Sequence, residues 1–164
     1  MSSGERTPMS KKGLWVGIDT NILVYFLNEE SVYHTRAKTF IDKLQKGEIQ
    51  GMISWQNLSE LYAIVTDPKR FPKPMTANQV VEATQQFLES GNINVIFPIV
   101  NIKEIFFSLV LKIKPKAQAV HDISLAATLL SNGVKTLVTE NTGDFKGVEG
   151  LRAMGLEEAV GIRG

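Results

Sequence analysis

The sequence predicts a three-layer α/β/α fold built on a short, mostly parallel sheet. Three observations carry that reading. Apolar runs of about four or five residues alternate with helix-period segments of about 10–15 residues, the pattern of right-handed βαβ crossovers. No internal repeat, low-complexity tract or linker interrupts the alternation. The 164 residues suit one domain, and a chain of that size buries roughly 70% of the surface it exposes when unfolded.

The first 12 residues are polar and lack apolar periodicity, so they read as a disordered leader before a single domain at 13–164. They contain no apolar h-region, so an N-terminal secretory signal is not expected, and Met9 offers an alternative start. Residues 14–18 form a buried-strand candidate that ends at Asp19. Tyr33, Ala37, Phe40, Ile41 and Leu44 recur at helical spacing, and Gly47 supplies the stop. Met52 and Ile53 make a short strand, and Ser54 caps a helix running to Thr66, before Pro68. Val80, Val81, Thr84, Phe87 and Leu88 give a helical stripe closed by Gly91, and 95–97 reads as a strand. The strongest stripe is Ile102, Ile105, Phe106, Leu109 and Ile113, ended by Pro115, with the Phe106–Phe107 pair assigned mainly to the core. Ile123, Ala126, Ala127 and Leu130 define one more helix, stopped by Gly133, and 136–139 is a strand. The last 15 residues carry a weaker pattern, with 159–162 as a final edge strand.

Composition narrows the chemistry. With 43% hydrophobic and 21% charged residues, neither disorder nor a collagen-like chain is tenable. No apolar run approaches the roughly 18 residues of a membrane span, so a soluble, cytoplasmic protein is expected. Zero cysteines exclude disulfide staples, thiol catalysis and thiolate metal sites. A net charge of +1 excludes a nucleic-acid binder that works by bulk positive charge, but not a local basic patch over an acidic site.

Open parallel sheets bind ligands beyond the carboxyl ends of their strands. Asp19-Thr20-Asn21 follows the first strand, and Thr139-Glu140-Asn141-Thr142-Gly143-Asp144-Phe145 follows a late one. Asp122 opens one helix and Glu60 lies within another. Should the sheet gather these ends, four carboxylates share a crevice. Two unit charges 4 Å apart repel by about 4 kcal/mol at an effective dielectric of 20. A hard divalent cation relieves this, and all-oxygen ligands select Mg²⁺ or Mn²⁺ over zinc. The chemistry implied is metal-assisted phosphodiester hydrolysis.

Each acid also has a plainer role. Asp19 and Asp122 suit helix starts, and Asp144 suits a turn. On the helical wheel Trp55, Leu58, Leu61, Tyr62 and Val65 form the apolar stripe, and Glu60 falls nearly opposite, on a solvated face. His34 and His121 are too few and scattered to be metal ligands. No nucleophile elbow and no Gly-rich phosphate loop occurs.

Taken in order, Asp19-Thr20-Asn21 after an apolar strand, Ser54-x₅-Glu60-Leu61, His121-Asp122-x₃-Ala126-Ala127 and Thr139-x-Asn141-x₂-Asp144-Phe145 resemble the PIN-domain family, and within it the VapC-type toxin ribonucleases. The resemblance runs from Leu14 to Phe145. It implies a metal-dependent ribonuclease whose acidic quartet corresponds to Asp19, Glu60, Asp122 and Asp144, with Asp19, Asp122 and Asp144 holding Mg²⁺ or Mn²⁺. Thr20, Asn21, Thr139 and Asn141 would support the pocket. It further implies an RNA substrate, a small antitoxin partner and the family's habit of homodimerisation, here through apolar residues such as Tyr25 or Ile64. Two departures stand out: the polar leader before the first strand, and Asn141 where some members carry another acid.

RNA approaches through its phosphates, which calls for local cations. Lys69, Arg70 and Lys73 follow the Glu60 helix, and Lys112, Lys114 and Lys116 precede Asp122. Trp55 and Tyr62 are assigned to the core rather than to base stacking. Two rival readings are a haloacid-dehalogenase-like phosphatase, which wants an acid where Asn21 stands, and a non-catalytic α/β interaction module with a structural metal.

Overall fold

The computed structural model describes residues 14–90 and 92–163. The leader, Met9 and the Gly91 stop therefore lie outside the described residues. Five strands, β1 (Leu14–Ile18), β2 (Ile49–Ser54), β3 (Ile93–Ile96), β4 (Thr136–Val138) and β5 (Arg152–Met154), form one sheet in the order β3-β2-β1-β4-β5. Every pairing in it is parallel.

Helices cover both faces. One side carries α1 (Thr20–Leu27), α2 (His34–Gln45), α3 (Trp55–Val65), α4 (Ala77–Glu89) and the short α7 (Leu156–Val160) over Val16, Ile18, Ile49 and Ile53. The other carries α5 (Ile102–Ile113) and α6 (Val120–Ser131) over Met52, Ile96 and Leu137. The alternation follows from the period of two in a strand, where neighbouring side chains enter opposite layers. Gly17 lets α6 approach β1 closely: a Cβ there would lie 2.6 Å from Leu129 Cδ2. Gly47 and Gly133 have φ of +76° and +75° and close α2 and α6 as expected.

The chain runs outward from β1 to β2 and β3, then returns across the sheet through α5 and α6 to place β4 on the other flank of β1. The order thus reverses between β1 and β4, and at such a switch point the loops diverge and leave a crevice at the carboxyl edge.

Three expectations need correction. Residues 159–162 are not a strand. Leu156, Ala159 and Val160 sit at helical spacing, the first two fully buried, and they build α7. Glu140 Oε1 accepts from Leu156 N at 2.7 Å and holds the first turn, while the true edge strand is the three-residue β5. Trp55 and Tyr62 are not core residues; they are 59% and 45% exposed. The face of α3 that packs inward is Asn57, Leu61 and Val65, so the helix is rotated from its apolar stripe. Of the phenylalanine pair, Phe106 packs against the core and Phe107 is 56% exposed.

Candidate active site

The carboxyl ends of β1 and β4 are tied at the switch point. Asp19 N donates to Val138 O at 3.0 Å, which carries the β1–β4 ladder one residue past the strands. Asp19 is the N-cap of α1, with Oδ1 accepting from Thr20 N at 2.8 Å. Its other oxygen, Oδ2, accepts from Thr139 Oγ1 at 2.8 Å. Capping and site roles therefore coincide in one side chain.

Thr139 is fully buried and serves three neighbours. Besides donating to Asp19, its hydroxyl accepts from Asn21 Nδ2 at 3.3 Å and from Asn141 N at 3.1 Å. Asn21 has thus committed its amide nitrogen, and its buried Oδ1 has no protein partner.

Glu60 is drawn inward by a relay of polar groups from α3. Ser54 caps the helix by accepting from Asn57 N at 3.1 Å, and its hydroxyl donates to Asn57 Oδ1 at 2.8 Å. Asn57 Nδ2 in turn donates to Thr20 Oγ1 at 2.9 Å, with a long 3.5 Å approach to Asp19 Oδ1. Thr20 Oγ1 then donates to Glu60 Oε2 at 2.9 Å. Gln56 Nε2 donates to Glu60 Oε1 and to His121 O, both at 3.1 Å, and so joins α3 to the first turn of α6, where Asp122 sits. The wheel places Glu60 on the solvated face; the relay turns it toward β1.

Asp19, Glu60 and Asp122 line one open cleft of about 360 Å³ with Thr20, Asn21, Asn141 and Arg70. Tyr25 and Ile64, expected as exposed dimer contacts, are half-buried walls of the same cleft. Asp144 is exposed on the 3-10 turn Thr142–Phe145, which Phe145 anchors in the core, and its N donates to Asn141 O at 3.1 Å. Its charge reaches both Asp19 and Asp122. The structure therefore brings the quartet into one field, with Asp144 at its rim.

Burial and that field raise Asp19 and Asp122. Burial pushes the Asp19 carboxyl above its ordinary 3.8; the Thr139 hydroxyl and Thr20 amide pull it back, and the charges of Glu60 and Asp144 push it up again. Asp122 is pushed up to about 6, first by burial and then by Asp144, Asp19 and Glu60, with His121 opposing. Such a site is short of positive charge. Among the described residues no three carboxylate or imidazole groups converge on one ligation point as the side chains stand. The donor set nonetheless fits a hard cation: carboxylates from three elements, plus the unpartnered carbonyl of Asn21, with no nitrogen or sulfur ligand.

Of the expected phosphate contacts, Arg70 lines the cleft. Lys112 is paired with Glu149 at 2.5 Å and faces a different groove. Lys73 borders a groove beside α4. Lys69, Lys114 and Lys116 are exposed and do not line the cleft. The sequence leaves Gln56 without a role and places Asn57 and Ile64 beside Glu60 on a face that meets something other than bulk water, without giving Asn57 a part in the site. An asparagine three residues after the helix cap and one turn before an acid was the signal in the sequence; its burial was not legible there.

A family model described as PIN domain matches residues 16–143, from β1 to the turn that bears Asp144. The chain belongs to the PIN-domain family. Among PIN-domain relatives it is similar to ribonuclease VapC48 of Mycobacterium tuberculosis, 23% identical over 134 residues that cover 82% of this chain and 92% of the relative. Its PIN fold matches the structure of VapBC-1 from nontypeable Haemophilus influenzae with a TM-score of 0.63 at 18% identity, covering 88% of this chain and 99% of that one. VapBC2 from Rickettsia felis, bound to a promoter DNA fragment, matches with a TM-score of 0.62 at 21% identity, covering 87% and 98%. At these identities the likeness of structure speaks for the PIN fold. Among the described residues no helix is long and apolar enough to cross a membrane.

Proposed function

We propose that this chain is a divalent-metal-dependent endoribonuclease that hydrolyses RNA phosphodiester bonds, and that it acts as the toxin of a cytoplasmic toxin–antitoxin pair. The observation that carries the reading is the gathering of Asp19, Glu60 and Asp122, with the charge of Asp144, at the switch point of the sheet. Membership of the PIN-domain family and relatives that are VapC ribonucleases or VapBC complexes support it.

Asp19 and Asp122 would hold the cation, with Asp144 at the rim, and the oxygen-only donor set favours Mg²⁺ or Mn²⁺. When bound, such an ion supplies an activated water and offsets charge on the phosphoryl group. The chain's own residues do the positioning. Thr139 and the Thr20 amide fix both oxygens of Asp19, and Thr20 and Gln56 fix both oxygens of Glu60. Glu60 is thus set to orient water or accept its proton, and Arg70 to meet a phosphate. A small antitoxin protein is the expected partner, and homodimerisation follows family habit.

Asp19→Asn and Asp122→Asn, from nuclease-free preparations, test the mechanism. Each should abolish Mg²⁺- or Mn²⁺-dependent RNA cleavage while circular dichroism stays unchanged. Full activity in both variants sinks it.

A further inference from the structure

We propose that the stacked Trp55–Phe97 pair is a platform on which an unpaired base of the RNA strand rests beside the cleft. The inference deepens the ribonuclease reading and rests on it for the identity of the strand. Ser54 is the register partner of Ile96, so β2 and β3 release Trp55 and Phe97 side by side. All strands being parallel, both rings emerge on the carboxyl edge that also carries Asp19 and Thr139.

Their ring centroids are 5.8 Å apart with planes 24° from parallel. They are 59% and 47% exposed. Single exposed apolar residues are ordinary on a protein surface; two stacked ring faces on the same sheet edge as an acidic cleft are a shaped feature. Gln56, the residue after Trp55, donates to Glu60 and to His121 O. The residue next to Trp55 in the chain thus bonds directly to one of the acids.

The scale suits a base. An aromatic side chain buries roughly 150–250 Å² when fully covered, so two half-exposed rings offer about 200 Å². A stable protein interface takes roughly 800 Å² from each partner. Single-stranded RNA is held by stacking on aromatic faces combined with cations along its backbone. Arg70 lies beyond the far end of α3, a helix of 11 residues and so about 16 Å long. With Trp55 at its start and Arg70 lining the cleft, a strand resting on the rings would meet Glu60 and then Arg70. The rings already touch, so a base adds to the open face of the stack rather than sliding between them.

Steady-state cleavage of a short single-stranded RNA tests the platform. Trp55→Ala should raise KM by about 5- to 150-fold, the range for loss of one stacked base, with most of the loss of kcat/KM in KM. Trp55→Phe should recover most of it, and Phe107→Ala, on α5, should match wild type. A wild-type KM in Trp55→Ala overturns the platform, and if that variant also loses self-association in sedimentation, the rings belong to a protein contact. A second measurement does not depend on turnover: oligoadenylate titrated into Asp19→Asn protein, followed by tryptophan emission and by anisotropy of a labelled strand. Trp15 lies toward the amino end of β1, away from the rim, so quenching reports Trp55. Quenching that Trp55→Phe abolishes upholds the platform even when wild type cleaves no RNA, an outcome that would refute only the ribonuclease reading. Saturable binding without quenching, or no binding, overturns the platform.

Discussion

Removing the charge of Asp122 should stabilise the metal-free protein at neutral pH while destroying its response to metal. The carboxyl is raised to about 6 by burial and by three neighbouring acids. Between its ordinary 3.8 and that value the folded chain keeps a proton that the unfolded chain releases. Stability therefore falls as pH rises through the window, and the whole penalty is in place above pH 6. The full displacement would be a ceiling of about 3 kcal/mol; solvent reaching a half-buried carboxyl screens it to about 1 kcal/mol. For a domain of this size that corresponds to about 2–4 °C in Tm. The assay is thermal unfolding of chelator-treated wild type and Asp122→Asn at pH 7.5 and pH 5. The variant should melt higher at pH 7.5, with the offset shrinking to about half at pH 5 as wild type takes up its proton. Added Mg²⁺ or Mn²⁺ should raise the Tm of wild type and leave the variant unmoved. A variant less stable than wild type at pH 7.5 without metal, or an offset equal at both pH values, would refute the picture of a cation-starved cleft.

Three further outcomes are expected. Asn57→Ala removes the donor to Thr20 and strands Ser54, so urea unfolding should show a loss of about 1–3 kcal/mol, with slower cleavage as Glu60 loses its orientation. Gly17→Ala drives a methyl into Leu129, which is fully buried, and should cost about 1–3 kcal/mol in the same assay without changing metal binding. Thr139→Val leaves one oxygen of Asp19 unsupported, and calorimetric titration with Mn²⁺ should show about 10- to 100-fold weaker binding.

Much of this architecture is readable from residue order because it rests on periodicity. The stripes of α2, α4 and α5, the Ser54 cap and the stops at Gly47 and Gly133 are local features. Asp19, Asp122 and Asp144 are legible as acids at strand ends or helix starts. Glu60 is not, because hydropathy ranks side chains without their partners. Trp55 and Tyr62 draw the apparent stripe of α3 to one side, while the face that packs includes Asn57, whose partner Thr20 lies 37 residues upstream. A buried amide satisfied at that separation leaves no trace in a helical wheel. The edge strand β5 escaped for a different reason: three residues, the first of them an exposed arginine, are too short for an alternation to register. Helix α7 was missed with it, its buried leucine and alanine spread over a single turn.

The placement of β4 beside β1 governs when the protein can act. Thr139 meets Asp19 across 120 residues of sequence. On the ribosome, β1, β2 and β3 emerge first, and a nascent chain still short of Thr139 has a half-built sheet whose central strand lacks one neighbour. Asp19 then has no hydroxyl to fix it, and α6 has no strand to return to. Under the proposed ribonuclease function, the site would be completed only after Thr139 has left the ribosome, late in synthesis. Contacts closed over so long a span also form slowly, which adds an interval between release of the chain and completion of the cleft.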